Sequence, residues 1–225
     1  MTASPRDATA GSDAQVRRRP QQERSRARVE AILDVALALV VEHGAEALAM
    51  REVARRAGVQ ISSVYQYFPS KAAILRELAR RNLERVQQIL QGEVARLLTE
   101  HGGRPTPAQA VHRVVDAYYA HYRDQPAAVA VWAGAQADHG LRELDIEDTR
   151  RTAQFLVQPL MAMLALADPQ DAFALALLLA ETTGAAARLA LAVEPPLRDA
   201  LMTRLKGMLI ATLEAQRPAP PGHAP

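Results

Sequence analysis

The chain has 225 residues, 49% of them hydrophobic and only 4% aromatic, a length for one large domain or two small ones and a composition that favours packed helices over a β-sandwich. It has no Cys and no signal-peptide-like apolar start, and its longest wholly apolar run, Ala172 to Ala180, is nine residues; these exclude a disulfide framework and a Cys-based metal site, and they lead us to expect a cytoplasmic protein with no membrane partner, since a span takes about 20 residues. Net charge is +2 but uneven, with 15 Lys and Arg against 10 Asp and Glu in residues 1–85 and 12 against 15 in residues 86–225, which suits a nucleic-acid end joined to an end with another task, although such an imbalance also arises without function.

Residues 1–20 show no periodicity, so a disordered tail is expected there, closed by Arg17, Arg18 and Arg19. That arginine run is either a solvated tail or an arm for phosphates. The first helix is predicted from about Glu23 to His43, with Val29, Ile32, Leu33, Ala36, Leu39 and Val40 as its apolar stripe and Gly44 as its stop. Arg24, Arg26 and Arg28 then fall in its opening turns, against the helix dipole, and so point to an outside anion.

Ala49 to Lys71 reads AMREVARRAGVQISSVYQYFPSK. A short helix over Met50 to Ala57 repeats apolar residues at helical spacing, and Gly58 ends it where the chain must turn. A second short helix, about Ile61 to Tyr67, is anchored by Val64 and Phe68, four apart. Pro69 ends it and Ser70 caps a long helix beginning at Lys71. Two short helices joined by a Gly turn form a helix-turn-helix, whose second helix lies in a DNA major groove. Ser62, Ser63 and Gln66 are then the residues able to hydrogen-bond base edges or phosphates, and Ile61 either meets a thymine methyl or belongs to the core.

Ala57-Gly58-Val59, then Tyr65, Phe68, Ser70 and Lys71, resemble the helix-turn-helix of the TetR family of bacterial transcriptional regulators over about Gln22 to Arg80. The resemblance implies a homodimer that binds a double-stranded operator through its first three helices and senses a small molecule in its C-terminal domain. It implies DNA contacts from Tyr65, Tyr67 and Lys71, and from Arg51 near the start of the second helix. Two positions depart from the family pattern. Ala49 replaces a capping Thr, so packing must hold that helix start. Gln60 and Ser62 stand where the family has Ser and Gly, which alters the bases read rather than the fold.

Lys71 to about Glu100 is predicted as one long helix. His101-Gly-Gly-Arg-Pro-Thr-Pro breaks it, and Thr106 with Pro107 starts the next, to about Arg123. Further helices are expected from Pro126 to about Asp138, Leu141 to about Leu166 (with Pro159 inside), Asp168-Pro169 to about Val193, and Pro196 to about Gln216. His139-Gly140 and Glu194-Pro195-Pro196 are the breaks, and 217–225 is a Pro-rich tail expected to be disordered. The expected fold is therefore all-α, with a disordered tail (1–20), a helix-turn-helix domain (21–70) and a helical ligand-binding and dimerisation domain (71–216). Residues 170–193 are apolar or small almost all round, as a helix covered on both sides by its own chain and a two-fold partner would be.

His112 with Asp116 and His121 with Asp124 have spacings that place each pair on one helix face. Neither completes a metal or acid–base site, and no nucleophile elbow, P-loop or dinucleotide fingerprint is present, so neither an enzyme nor a cofactor is expected. Tyr118, Tyr119, Tyr122, Trp132, Phe155, Gln158 and Glu181 are the candidates for the small-molecule pocket, or else ordinary bundle core. Glu181 is the only charge between Ala172 and Ala187; it must pair with Arg188 or a partner chain, face solvent, or face a ligand. A cationic aromatic suits the last case, and a neutral lipophilic compound the others. The rival to a ligand-released repressor is a ligand-binding or scaffold dimer with a vestigial helix-turn-helix, against which Tyr65, Lys71 and the basic arm ahead of the first helix all stand.

Overall fold

The computed structural model describes residues 12–137 and 139–217. Among them are nine α-helices and no strand: α1 (Ser12–His43), α2 (Met50–Arg56), α3 (Ile61–Tyr67), α4 (Lys71–Glu100), α5 (Pro107–Asp124), α6 (Pro126–Ala137), α7 (His139–Leu164), α8 (Pro169–Leu191) and α9 (Pro195–Ala215). The chain divides into two compact units, Met1–Leu78 and Ala79–Pro225, with the division inside α4 rather than at residue 70. The all-α fold is as expected.

One boundary differs in substance. Helix α1 begins at Ser12, so residues 12–20, expected to be disordered, are helical. Ala14, Gln15 and Arg17 to Arg19 of this segment lose little freedom in a helix, whereas Pro20 within it disfavours one, so propensity alone does not explain the extension. Arg24, Arg26 and Arg28 consequently sit in the body of α1, where the dipole argument made for a first turn does not apply. Residues 1–11 and 218–225 of the expected tails lie outside the described residues. The break expected at His139-Gly140 falls earlier, because α7 already starts at His139.

In the first unit, Ile32, Leu33, Ala36, Leu39 and Val40 of α1 are buried with Leu48, Val53, Ala54, Val64, Phe68, Ile74, Leu75 and Leu78. Gly58 adopts φ +64°, and Val59 N–H reaches back to the Ala54 carbonyl at 3.0 Å, closing α2 with a left-handed residue. Ala49 provides no side-chain cap for α2, whose start is held by the buried Val53 and Ala54. Ser70 Oγ accepts from Ala73 N–H at 3.2 Å and caps α4.

In the second unit, Thr106 and Gln109 form a reciprocal capping box on α5, with Pro107 at its first position. A core cluster joins Val111, Val115 and Tyr119 of α5 to Ala153, Leu160 and Leu164 of α7, Ala176, Ala187 and Ala190 of α8, and Leu205, Leu209 and Leu213 of α9. A second cluster joins Val86 and Leu90 of α4 to Tyr122, Ala128 and Trp132. Helix α8 is long and apolar enough by length and composition to cross a membrane. Its small residues Ala172, Ala176, Gly184, Ala187 and Ala190 are nevertheless buried in the bundle, while Leu178 and Leu189, eleven apart on one face, are 67% and 54% exposed.

Candidate nucleic-acid interface and ligand cavity

Helix α3 is seven residues long and has one inward anchor, Val64, fully buried, with Phe68 buried at its C-cap. With so few turns, fixing Val64 and Phe68 fixes the direction of every other side chain. Gln60, Ile61, Ser62, Tyr65 and Gln66 are exposed, and Ser63 and Tyr67 are half-buried. Of the two readings of Ile61, the structure places it at the surface, 37% exposed, and not in the core. Tyr65, at 49%, is likewise outside the core. The Tyr67 hydroxyl accepts from Ser25 Oγ at 3.1 Å, which ties the end of α3 to α1. Lys71 Nζ donates to the Glu46 carbonyl at 3.0 Å and holds the α1–α2 connection. Arg51 is exposed at the start of α2.

The other two arginines of α2 are engaged. Arg55 and Arg56 both hold Glu52, and Arg56 also forms a two-pronged pair with Glu42 of α1 at 2.7–2.9 Å. The Arg55 hydrogen bonds, followed by those of Arg56, hold the Glu52 carboxyl down at about 2.

A cavity of about 150 Å³ lies within the second unit, bordered by α4, α5, α6, α7, α8 and α9. An apolar void of that size holds about one benzene ring. Of the seven candidates, Tyr118, Tyr122, Trp132 and Glu181 line it; Tyr119, Phe155 and Gln158 do not. Helical register explains the split. Tyr118 and Tyr122 are four apart on one face of α5, and Tyr119 is turned about 100° away into the core cluster. On α7 the lining face is Asp145, Asp148, Thr152 and Leu156, which leaves Phe155 half-buried and Gln158 exposed on other faces.

The aromatic walls are close. Tyr122 stacks on Trp132 with centroids 4.4 Å apart, and Tyr118 meets Tyr122 at 5.2 Å and the Trp132 edge at 6.4 Å. Burial pushes the Tyr122 hydroxyl up to about 12 and that of Tyr118 well above its ordinary value, so both are neutral donors. Arg188 Cζ stands 4.8 Å from the Trp132 ring centroid, and Arg188 is 3.9 Å from Glu181. The chain's own guanidinium therefore lies over the Trp132 ring, and Glu181 is largely exposed, near its pairing partner and at the cavity rim together.

Arg188, Asp145 and Asp148 were not among the expected site residues. The signal for the two aspartates was present: Asp145, Asp148 and Thr152 continue at i, i+3, i+7 into the stripe Leu156 and Leu160. Gln87 Nε2 donates to Thr152 Oγ1 at 2.6 Å, tying α4 to α7 inside the unit. The motif-spaced histidine pairs resolve differently. His121 is buried and meets Asn82 Oδ1 at 3.0 Å through Nε2, and Asn82 also donates to the Tyr122 hydroxyl at 3.1 Å. Asp116 accepts from Lys206 at 2.7 Å, and Asp124 is held by Arg123.

A helix-turn-helix with a polar, exposed second helix, followed by a helical unit that encloses an aromatic-walled cavity, defines a DNA-binding transcriptional regulator. The family profile described as "Bacterial regulatory proteins, tetR family" matches residues 32–78, and that described as "Tetracyclin repressor-like, C-terminal domain" matches residues 105–217. The chain belongs to the TetR family. It is 31% identical to the transcriptional regulator BetI of Agrobacterium fabrum over 149 residues, 64% of this chain and 68% of the relative. It is 44% identical to the transcriptional repressor KstR of Mycolicibacterium smegmatis over 64 residues, 28% of this chain, so it spans under a third of that relative's length (31%). A TetR-family regulator from Streptomyces coelicolor, solved by crystallography, superposes with a TM-score of 0.61 at 31% identity, covering 84% of this chain and 98% of that one.

Proposed function

We propose that the chain is a cytoplasmic, homodimeric repressor that binds a palindromic operator through α3 and its flanks and is released by a small lipophilic ligand held in the aromatic-walled cavity. The observation that carries the DNA half is the exposed polar face of α3 over its Val64–Phe68 anchor. Gln66, Ser62 and Ser63 read base edges, Ile61 meets a thymine methyl, and Arg51, Gln60, Tyr65, Tyr67 and Lys71 position the backbone. Dimerisation is supported by Leu178 and Leu189 on α8 and Met208 on α9, large apolar side chains left exposed on helices that each bury another stripe in the bundle. Two-fold symmetry then requires two half-sites on one face of the duplex.

Selection from a randomised duplex pool, read by mobility shift, tests the DNA half: a two-fold symmetric site is expected, and the absence of any selected palindrome refutes it in favour of a scaffold with a vestigial motif. For the ligand half, a lipophilic aromatic compound is expected to quench Trp132 and release the selected operator. Operator must then weaken ligand binding by the same factor by which ligand weakens operator binding. A diverse library in which no compound shows this reciprocity reduces the second unit to a dimerisation module.

A further inference from the structure

Two buried polar atoms of the cavity lining make no hydrogen bond, the Trp132 Nε1–H and a carboxylate oxygen of Asp148, and the carboxylate is the more costly of the two. Asp148 borders the apolar and aromatic wall, is 7% exposed, and its Oδ1 makes no hydrogen bond. Its nearest cation, Arg151 Nη1, is 3.9 Å away, beyond hydrogen-bond reach, on a side chain 58% exposed. Neighbouring Asp145 adds a second carboxylate from the same helix face. Of the other charged groups that line the cavity, Asp145 has a partner of its own, Glu181 is largely exposed, and Arg188 already lies on Trp132 and beside Glu181, which leaves Asp148 Oδ1 as the buried charge without a donor.

We propose that the cavity takes an organic cation, an aromatic or aliphatic ammonium, whose N–H groups meet Asp148 Oδ1 while its apolar body packs among Tyr118, Tyr122 and Trp132. This rests on the sensing reading above and names its ligand class. A buried carboxylate oxygen without a donor forfeits a charge-assisted hydrogen bond, and an ammonium restores it. Burial lifts the Asp148 carboxyl to about 6, against the opposing pull of Arg151, and leaves it mostly ionised at pH 8. Tyr118, Tyr122 and Trp132 line the cavity and receive the apolar body, with Arg188 and the stacked Tyr122 already against the Trp132 ring. An anion is disfavoured because the buried Asp148 carboxylate repels it.

The full-length protein is titrated at pH 8 with three size-matched probes, 2-phenylethylammonium, 2-phenylethanol and phenylacetate, followed by Trp132, the chain's single Trp. The ammonium is expected to bind at least tenfold more tightly than the alcohol, with phenylacetate weakest. Asp148→Asn is expected to bring the ammonium down to the alcohol's level and to leave the alcohol within about twofold, which shows an intact cavity. Arg151→Gln, which removes the competing cation, should preserve or sharpen the preference. Equal binding of ammonium and alcohol, tightest binding of phenylacetate, a preference that survives Asp148→Asn, or no binding of the ammonium each overturns the inference. Selected operator separates the two readings. If the alcohol binds as well as the ammonium and releases DNA, sensing stands and the cation fails; if the ammonium binds through Asp148 without affecting DNA, the cation stands and sensing fails.

Discussion

Helices α3 and α7 both carry polar residues among apolar ones, and they put them on opposite sides. In α3 the apolar anchors Val64 and Phe68 are buried, and Ser62, Tyr65 and Gln66 face outward. In α7 the face bearing Asp145, Asp148 and Thr152 turns inward to the cavity, and Ile146, between them in sequence, is 50% exposed. A polar residue on a seven-residue helix has its side decided by the one or two anchors it shares a turn with. On a 26-residue helix packed against several others, the same residue can sit above the apolar stripe, and the neighbours decide whether that place is solvent or cavity.

The largest test inverts the α3 arrangement. Val64→Asp places a charge where the side chain has no exposure, and is expected to cost about 3 kcal/mol or more in the first unit and to abolish operator binding. Trp132 emission and its response to cavity probes should persist; simultaneous loss of both would show that the polar face of α3 is not an independent device. Next, Gln66→Ala removes a polar group on the outward side. Discrimination at one base position should fall by about 1–3 kcal/mol, while thermal stability stays within about 0.5 kcal/mol. A large drop in melting temperature would mean that Gln66 belongs to the fold.

The matching change on α7 has the opposite sign. At pH 8 Asp148 carries its charge in a buried place, and as pH falls through about 6 the folded protein takes up a proton that the unfolded chain does not bind until pH nears the ordinary value of 3.8. The groups acting on it are Asp145 and Arg151 of α7, Gln87 of α4 and the neutral Tyr122 of α5. Asp148→Asn is therefore expected to stabilise the protein at pH 8, by on the order of 1 kcal/mol, with the gain vanishing by about pH 4. Chemical denaturation at the two pH values checks this, and a destabilised variant at pH 8 would show that the carboxylate is structurally satisfied.

The smallest effect comes from the helix ends. Helices α2 and α7 close alike: Val59 N–H reaches the Ala54 carbonyl over Gly58 at φ +64°, and Leu166 N–H reaches the Met161 carbonyl at 3.2 Å over Ala165 at φ +56°. One position is glycine and the other is not, so Ala165→Gly should relieve strain and raise stability by up to about 1 kcal/mol, and Gly58→Ala should cost about 1–2 kcal/mol. Thermal melts of both decide it.

The short helices were the legible part because their signals are local. Gly58 as a turn, Pro69-Ser70 as a stop and cap, and Thr106-Pro107 as a start each act within a few residues, and the structure uses all three. The cavity was less legible because it is made by several helices at once. Tyr118 and Tyr119 differ by one position in sequence and by a wall in space, and nothing within α5 says which face meets α7 and α8. Asp148 reads as a solvated charge until Gln87, Thr152 and Tyr122 are seen around it. The start of α1 was not legible for another reason: the helix runs beyond its hydrophobic stripe and through Pro20, a residue that ordinarily marks a boundary.

The arginine cluster on α2 bears on how this protein would respond to ionic strength. Arg55 and Arg56 arrive at any duplex already holding Glu52 and Glu42, so their positive charge is offset before a phosphate approaches. Lys71 is different, since the carbonyl it holds leaves its charge intact, and Arg51 has no ion pair among the described residues. Release of condensed counterions from DNA counts net neutralised phosphates, at about 0.9 ions for each. If α2 and the head of α4 meet DNA as proposed, each chain should displace about two ions there rather than the four its basic residues suggest. Operator affinity drawn from this surface should decline gently as salt rises, and a larger share of it than the arginine content implies should come from the polar face of α3 proposed to read bases.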